Sequence, residues 1–306
     1  MRLRQLASLV LLALPAASVM AMDVTTGQTP VDCRYGSNAA PDGQGSEGFF
    51  LPSDHLFRPL LADLKEPRFY AQLRRVRFRT DPIPAGNRRT ITAGVVGMGS
   101  NIGLWSQRRR GTCNGYQVGL FAAAFSQFNM STSSDNLINT DYQVGFPVTF
   151  RDGPFSARVR LYHQSSHLGD ELLLNNPGIT RENLSFEAVD ALGSVHGQRW
   201  RFYAGGGYAF RSETDIERGS AQWGLELRWP HLFPHTHGVF GADFQAFEEQ
   251  DWAVTTSLAA GPELAVPNSN QRVRLLALYL RGFIPFGQFF SETRIENFGL
   301  GFQFDF

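Results

Sequence analysis

The chain has 306 residues, of which 42% are hydrophobic and 18% charged, and its formal net charge is +0. This balance excludes the basic footprint of a nucleic-acid-binding protein, so no nucleic-acid partner is expected. Beyond residue 21 no run of about 18 apolar residues occurs, which excludes a transmembrane helix.

The N-terminus has the pattern of a secretion signal. Arg2 and Arg4 precede an apolar stretch over residues 6–17, and Ala21 offers a small residue for cleavage. The stretch is too short to span a bilayer, so we predict a signal peptide over residues 1–21. We assign residues 22–68 to a periplasmic segment and residues 69–306 to the next domain.

Within the periplasmic segment, apolar residues recur at helical spacing. Ser53 is placed to cap a short helix that ends near Pro67 and carries Leu56, Phe57, Leu60, Leu61 and Leu64. We expect this helix to pack at the mouth of the next domain.

From residue 69 onward the sequence pattern predicts a series of β-strands. About twelve segments have barrel-spanning length, which predicts an all-β, transmembrane antiparallel β-barrel. The predicted boundaries are 69–79, 90–107, 115–128, 138–151, 155–167, 181–195, 199–212, 220–229, 238–249, 252–264, 272–285 and 296–306.

The last segment shows the alternation most clearly. Apolar residues alternate with small or polar ones, and the apolar set is Phe298, Leu300, Phe302, Phe304 and Phe306. A closed barrel with lipid outside needs this period of two. A final strand ending in Phe306 resembles the signal read by the outer-membrane assembly machinery, which is therefore an expected partner together with phospholipid and lipopolysaccharide. The predicted location is the bacterial outer membrane.

Connection lengths and cysteines agree with export. Short connections such as 151–154 and 196–198 alternate with long polar ones such as 166–180, as in outer-membrane barrels. Cys113 falls on the periplasmic side, where an oxidising environment permits a disulfide with Cys33 without requiring one.

Polar residues concentrate in the segment Tyr162–Glu171. Parity from Phe155 places His163 and Ser165 together on the outward face, where an imidazole can take a hydroxyl proton for nucleophilic ester cleavage. If Ser165 lies opposite Glu182 across the next hairpin, Glu182 supplies the orienting acid. The hypothesis is a lipid ester hydrolase with Ser165 as nucleophile, His163 as base and Glu182 as orienter.

This segment resembles two enzyme families. His163-x-Ser165 followed by Asn176-Pro177-Gly178 is similar to the active-site segment of outer-membrane lipid A deacylases, and the His–Ser spacing is similar to that of outer-membrane phospholipase A. Both resemblances imply catalysis on the outer barrel wall. The deacylase pattern has Asn after the Ser, whereas Ser166 and His167 follow here.

Other assignments of the same charges stay open. A strand shifted by one residue would turn His163 and Ser165 into the lumen. A cation held by His163, His167, Asp170 and Glu171 is a further alternative, but their ligand spacing is loose, so neither metal nor cofactor is expected. Lumen charges suit either an anion-favouring channel or a lumen closed by ion pairs, and the set is Arg158, Arg160, Arg201, Glu226, Arg228, Asp243, Arg272 and Arg274.

Nearly the whole mature chain resembles the bacterial domain-of-unknown-function 1207 family. The segments that carry this are 50–52 through 65–68, Tyr162–Glu171, Asn175–Gly178 and Asn183–Glu187. The resemblance implies an outer-membrane barrel and assigns no activity. The sequence therefore predicts a barrel of uncharacterised activity, either sealed and structural or of a transport type, with the lipid ester hydrolase as the alternative.

Overall fold

The computed structural model describes residues 45–80, 89–233, 236–266 and 271–305. The predicted signal peptide, Cys33 and Phe306 lie outside these residues. Cys113 is buried and disulfide-bonded. None of the described helices is long and apolar enough to cross a membrane.

In the described part of the chain, twelve antiparallel strands form a barrel. Their residues alternate between an outward and an inward side, as the period-two sequence pattern requires. The strands are β2 (Phe69–Phe78), β3 (Thr90–Arg109), β4 (Gly115–Asn129), β5 (Asn136–Asp152), β6 (Phe155–Leu168), β7 (Ser185–His196), β8 (Trp200–Ser212), β9 (Gly219–Phe233), β10 (Thr236–Phe247), β11 (Thr255–Ala265), β12 (Arg272–Phe283) and β13 (Arg294–Asp305).

Each barrel strand pairs with its neighbours in the chain, and the last strand closes the ring on the first. Phe304 of β13 pairs with Phe69 of β2, and β2 pairs in turn with β3. The prediction of an all-β barrel of twelve antiparallel strands is confirmed. A further short strand, β1 (Ser46–Phe50), was not predicted and pairs with the end of β3 from Trp105 to Arg109.

The two ends of the barrel differ in the length of their connections. Strands β5–β6 and β7–β8 are joined by short turns at one end, which we call the turn end. The opposite end, the loop end, carries the longer connections, including residues 169–184. The short helix α1 (Asp170–Asn175) lies in that connection, and a 3-10 turn at Glu248–Gln250 lies between β10 and β11.

The lumen contains residues 51–68, which we call the plug segment. It enters at the turn end, where Arg108 binds Asp54 through two hydrogen bonds of 2.7 and 2.8 Å. Its tip reaches into the barrel, where Lys65 Nζ lies 2.8 Å from Asp141. The chain then returns to β2, and Glu66 is completely buried against Arg158 at 2.7 Å.

The helix predicted between Ser53 and Pro67 is wrong, because the plug segment is irregular. Pro59 lies in its middle and has no N–H for a helical hydrogen bond. The backbone instead bonds to barrel side chains: the Leu56 N–H donates to Gln117, and the Leu61 N–H donates to Glu226 at 2.8 Å. The spaced leucines therefore reflect burial inside the lumen.

An apolar cluster occupies one side of the loop end of the lumen. The connection between β12 and β13 folds inward and buries Phe286 and Phe289 against Leu64 of the plug segment and Leu172 of α1. The Gly287 N–H donates to Asp141, the carboxylate that also binds Lys65. The plug segment and this loop thus meet inside the barrel.

Candidate functional site

The outward face of β6 carries the predicted site residues. Its burial pattern alternates along the whole strand, with Ser156, Arg158 and Arg160 buried inside and Phe155, Val159 and Leu161 exposed outside. His163, Ser165 and His167 continue the outward series. The predicted parity is therefore confirmed, and the one-residue shift into the lumen does not occur.

A carboxylate on the neighbouring strand contacts His163. The pairing of β6 with β7 sets His163 opposite Glu187, and Nδ1 lies 3.2 Å from Oε1. Both side chains are partly accessible, at 42% and 34% exposure. Arg211 of β8 approaches the other carboxylate oxygen at 3.8 Å. Glu187 is thereby held between an imidazole and a guanidinium.

Ser165 lies between two hydroxyl-bearing neighbours, Tyr142 on β5 and Ser185 on β7. Among the described residues its hydroxyl has no hydrogen-bond partner, so it can accept a new one. Residues two apart on a strand lie about 7 Å apart on the same face. His163 and Ser165 therefore share the outward face at this spacing, but no hydrogen bond joins them among the described residues, where His163 contacts Glu187.

The predicted pairing of Ser165 with Glu182 is not formed. Glu182 precedes β7, and its backbone N–H donates to Gln288 in another loop at 2.9 Å. Leu184 and Phe186, which have the same parity as Glu182, point inward: Leu184 is buried and Phe186 packs against Tyr162. Glu187 therefore replaces Glu182 beside His163.

The reason lies in the long connection between β6 and β7. Helix α1 occupies part of it, and the Ser166 N–H bonds to the carbonyl of Leu184, which sets the hairpin register. A loop of this length leaves register undetermined from sequence. The sequence feature that favours Glu187 is its position two residues before Val189, which is exposed on the outward face, so the alternation of β7 places Glu187 on that face as well.

His167 completes the outward series at the loop end. Its ring stacks edge-on to Tyr142 at 5.8 Å, and its Nδ1 lies 3.0 Å from a guanidinium nitrogen of Arg181. Within the described ranges, no three His, Cys, Asp or Glu side chains converge as metal ligands.

The lumen charges predicted from sequence do point inward, and among the described residues all of them except Asp243 form ion pairs. Arg160 binds Asp190 at 2.6 Å, and Arg274 binds Glu263 at 2.7 Å and Asp305 at 2.5 Å. Asp243 accepts hydrogen bonds from Tyr203, Gln222 and Gln245. The interior is therefore a polar network crossed by the plug segment.

Fold and site together define a closed β-barrel of the outer-membrane type with a polar group on its outer wall. The chain belongs to the family described as "Protein of unknown function (DUF1207)", whose model matches residues 44–306. No curated protein matches the chain.

Two solved structures are similar in fold. Outer membrane phospholipase A from Escherichia coli is 12% identical with a TM-score of 0.53, and the match covers 90% of this chain and 99% of that one. The Salmonella typhi outer membrane phospholipase dimer with bound calcium is also 12% identical with a TM-score of 0.51, and covers 78% and 92%. At this identity the likeness shows the fold alone.

Proposed function

We propose that this protein is an outer-membrane hydrolase that cleaves acyl ester bonds of membrane lipids on the outer wall of its barrel. The observation that carries the proposal is the contact of His163 with Glu187 on the outward face, two residues along β6 from Ser165, whose hydroxyl has no hydrogen-bond partner among the described residues. The loop end faces the cell exterior and the turn end faces the periplasm.

The position of the group matches a lipid substrate. Toward the barrel middle the outward residues of β6 are the exposed, apolar Leu161 and Val159, which suit lipid chains. Toward the loop end they become His163, Ser165 and His167. This change marks the level where lipid acyl esters meet the headgroups. An ionisable pair inside the chain region would be strongly unfavourable.

Each side chain has a defined step in the reaction. Glu187 accepts the Nδ1–H of His163, which leaves Nε2 free to take the Ser165 proton as Oγ attacks the ester carbonyl. His163 then returns the proton to the leaving alcohol, and an acyl-serine remains. Water activated by the same imidazole releases the fatty acid and restores the serine. No other co-reactant is required.

The test is an ester-cleavage assay with purified protein in mixed micelles containing either phospholipid or lipid A. We expect Ser165→Ala to lower kcat by at least about a thousandfold. Glu187→Gln should lower kcat by roughly ten- to a hundredfold, because the amide holds His163 less well. Two matched controls, Glu182→Gln and the lumen-facing Ser166→Ala, should retain the wild-type rate. Full activity of Ser165→Ala would contradict the proposal.

We further propose that the lumen is sealed, which argues against a transport function. The supporting observations are the ion pairs of Asp54, Lys65 and Glu66, which hold the plug segment, and the apolar cluster around Phe286 and Phe289. Wild-type protein in planar bilayers should show no conductance steps. Regular steps would contradict the sealed lumen while leaving the hydrolase assignment to its own assay.

A further inference from the structure

A polar cavity lies inside the barrel at the turn end, away from the outer-wall group of His163, Ser165 and Glu187. It encloses about 130 Å³ and is closed inward by the plug segment, which contributes Leu61 and Pro67 to its wall. Arg199 and Trp200, both exposed, lie at its rim. The cavity therefore opens at the turn end and ends blindly against the plug segment.

The wall of this cavity has a large excess of positive charge. Its described lining includes seven arginines against three carboxylates. The loop-end cavity of similar size, about 140 Å³, is lined among described residues by three cationic side chains and three carboxylates. The imbalance is therefore specific to the turn end and is not a general property of the lumen.

The carboxylates present are shared among several guanidinium groups. Glu263 accepts from Arg228, lies 2.7 Å from Arg274 and lies 3.7 Å from Arg272. Asp305 also binds Arg274. Among the described residues, Glu263 and Asp305 are thus shared by three guanidinium groups, which concentrates positive charge in a confined space where solvent compensates it poorly.

We propose that the turn-end cavity binds a phosphate-bearing anion. Guanidinium groups present N–H donors in a planar fork that matches phosphate oxygens, and Arg228, Arg272 and Arg274 are already held together by Glu263. Such a preorganised cluster binds an anion with little loss of side-chain freedom. The proposed anion site is independent of the proposed hydrolase site, because the cavity lies inside the barrel at the turn end and His163 and Ser165 lie on the outer wall near the loop end.

Inorganic pyrophosphate is the probe for calorimetric titration of the full-length protein in neutral detergent, at constant ionic strength set with chloride. We expect saturable binding of one pyrophosphate per barrel. Arg272→Gln should weaken it at least about tenfold, since one charge-assisted hydrogen bond is lost while Glu263 keeps Arg274 as partner. Arg272→Lys retains the positive charge but lacks the planar set of N–H donors, so its affinity for pyrophosphate should lie between those of the wild type and Arg272→Gln.

The matched control is Arg218→Gln, in the loop-end cavity, which should bind pyrophosphate like the wild type. If Arg218→Gln and Arg272→Gln weaken pyrophosphate binding equally, the anion is attracted by the overall positive charge and not by the turn-end cavity, and the proposal is overturned. Should Arg272→Gln fail to fold, the wild type decides: pyrophosphate must raise its thermal unfolding midpoint, and no shift overturns the proposal.

A final arm separates the two sources of a phosphate group. A short-chain phosphatidic acid that competes with pyrophosphate identifies a lipid headgroup as the natural ligand. Binding of pyrophosphate without such competition identifies a soluble phosphate compound.

Discussion

The substitution Glu66→Gln tests how the plug segment is held inside the barrel. Glu66 is completely buried, and its Oε1 accepts a 2.7 Å hydrogen bond from Arg158, which is itself 4% exposed. The other guanidinium nitrogens of Arg158 have no hydrogen-bond partner among the described residues. The carboxylate of Glu66 is thus the charge that makes burial of this arginine possible.

Removing one member of a buried ion pair leaves the other charge without compensation, at a cost of about 3–5 kcal/mol. Arg158 also stacks on Phe57 at 4.8 Å, which persists in the variant and keeps the expected loss within that range. Because whole proteins are stable by about 5–15 kcal/mol, the loss should be easily measured.

The assay is urea unfolding of the detergent-folded barrel, followed by tryptophan fluorescence and by the heat-dependent gel shift. Glu213→Gln is the matched control, since its partner Arg211 lies 3.8 Å away and both are exposed, so the free energy of unfolding should change by less than about 1 kcal/mol. In Glu66→Gln/Arg158→Met the loss should be smaller than the sum of the single losses. A loss for Glu66→Gln no larger than that of the control would refute this account of the plug segment.

Two further predictions concern the barrel wall. Gly97 pairs with Tyr70, and a Cβ at Gly97 would lie 2.2 Å from the Tyr70 ring, so Gly97→Ala should lower the free energy of unfolding by about 1–3 kcal/mol. Gly178 has open space around it, so Gly178→Ala should leave the free energy of unfolding unchanged in the same urea titration. Equal effects of the two substitutions would contradict the packing argument. Leu300, 64% exposed on the outward face, should contact lipid, so Leu300→Arg should lower the free energy of unfolding of vesicle-folded protein by about 2–4 kcal/mol. Leu51→Arg, at the exposed start of the plug segment, should not lower it. A neutral Leu300→Arg would contradict a membrane-spanning wall.

Local chemistry was sufficient to predict the barrel strands. The period-two pattern is a property of neighbouring residues, and it placed β8 at 199–212 where the structure has Trp200–Ser212. The same argument fixed the outward parity of His163 and Ser165 from Phe155, because no bulge interrupts β6 in its pairings with β5 and β7. The short turns at 153–154 and 197–199 left little freedom in strand order.

Interactions between distant segments decided the rest. The sequence alone predicted about twelve barrel strands and the outward parity of His163 and Ser165, because alternation acts residue by residue. Only the tertiary structure decided that Glu187 meets His163 and that the plug segment is irregular. Register across the long connection after β6 depends on how α1 packs, and the backbone at Leu56 and Leu61 bonds to strands far along the chain. Sequence spacing does not predict these contacts, because they form between residues that closure of the barrel brings together from distant parts of the chain.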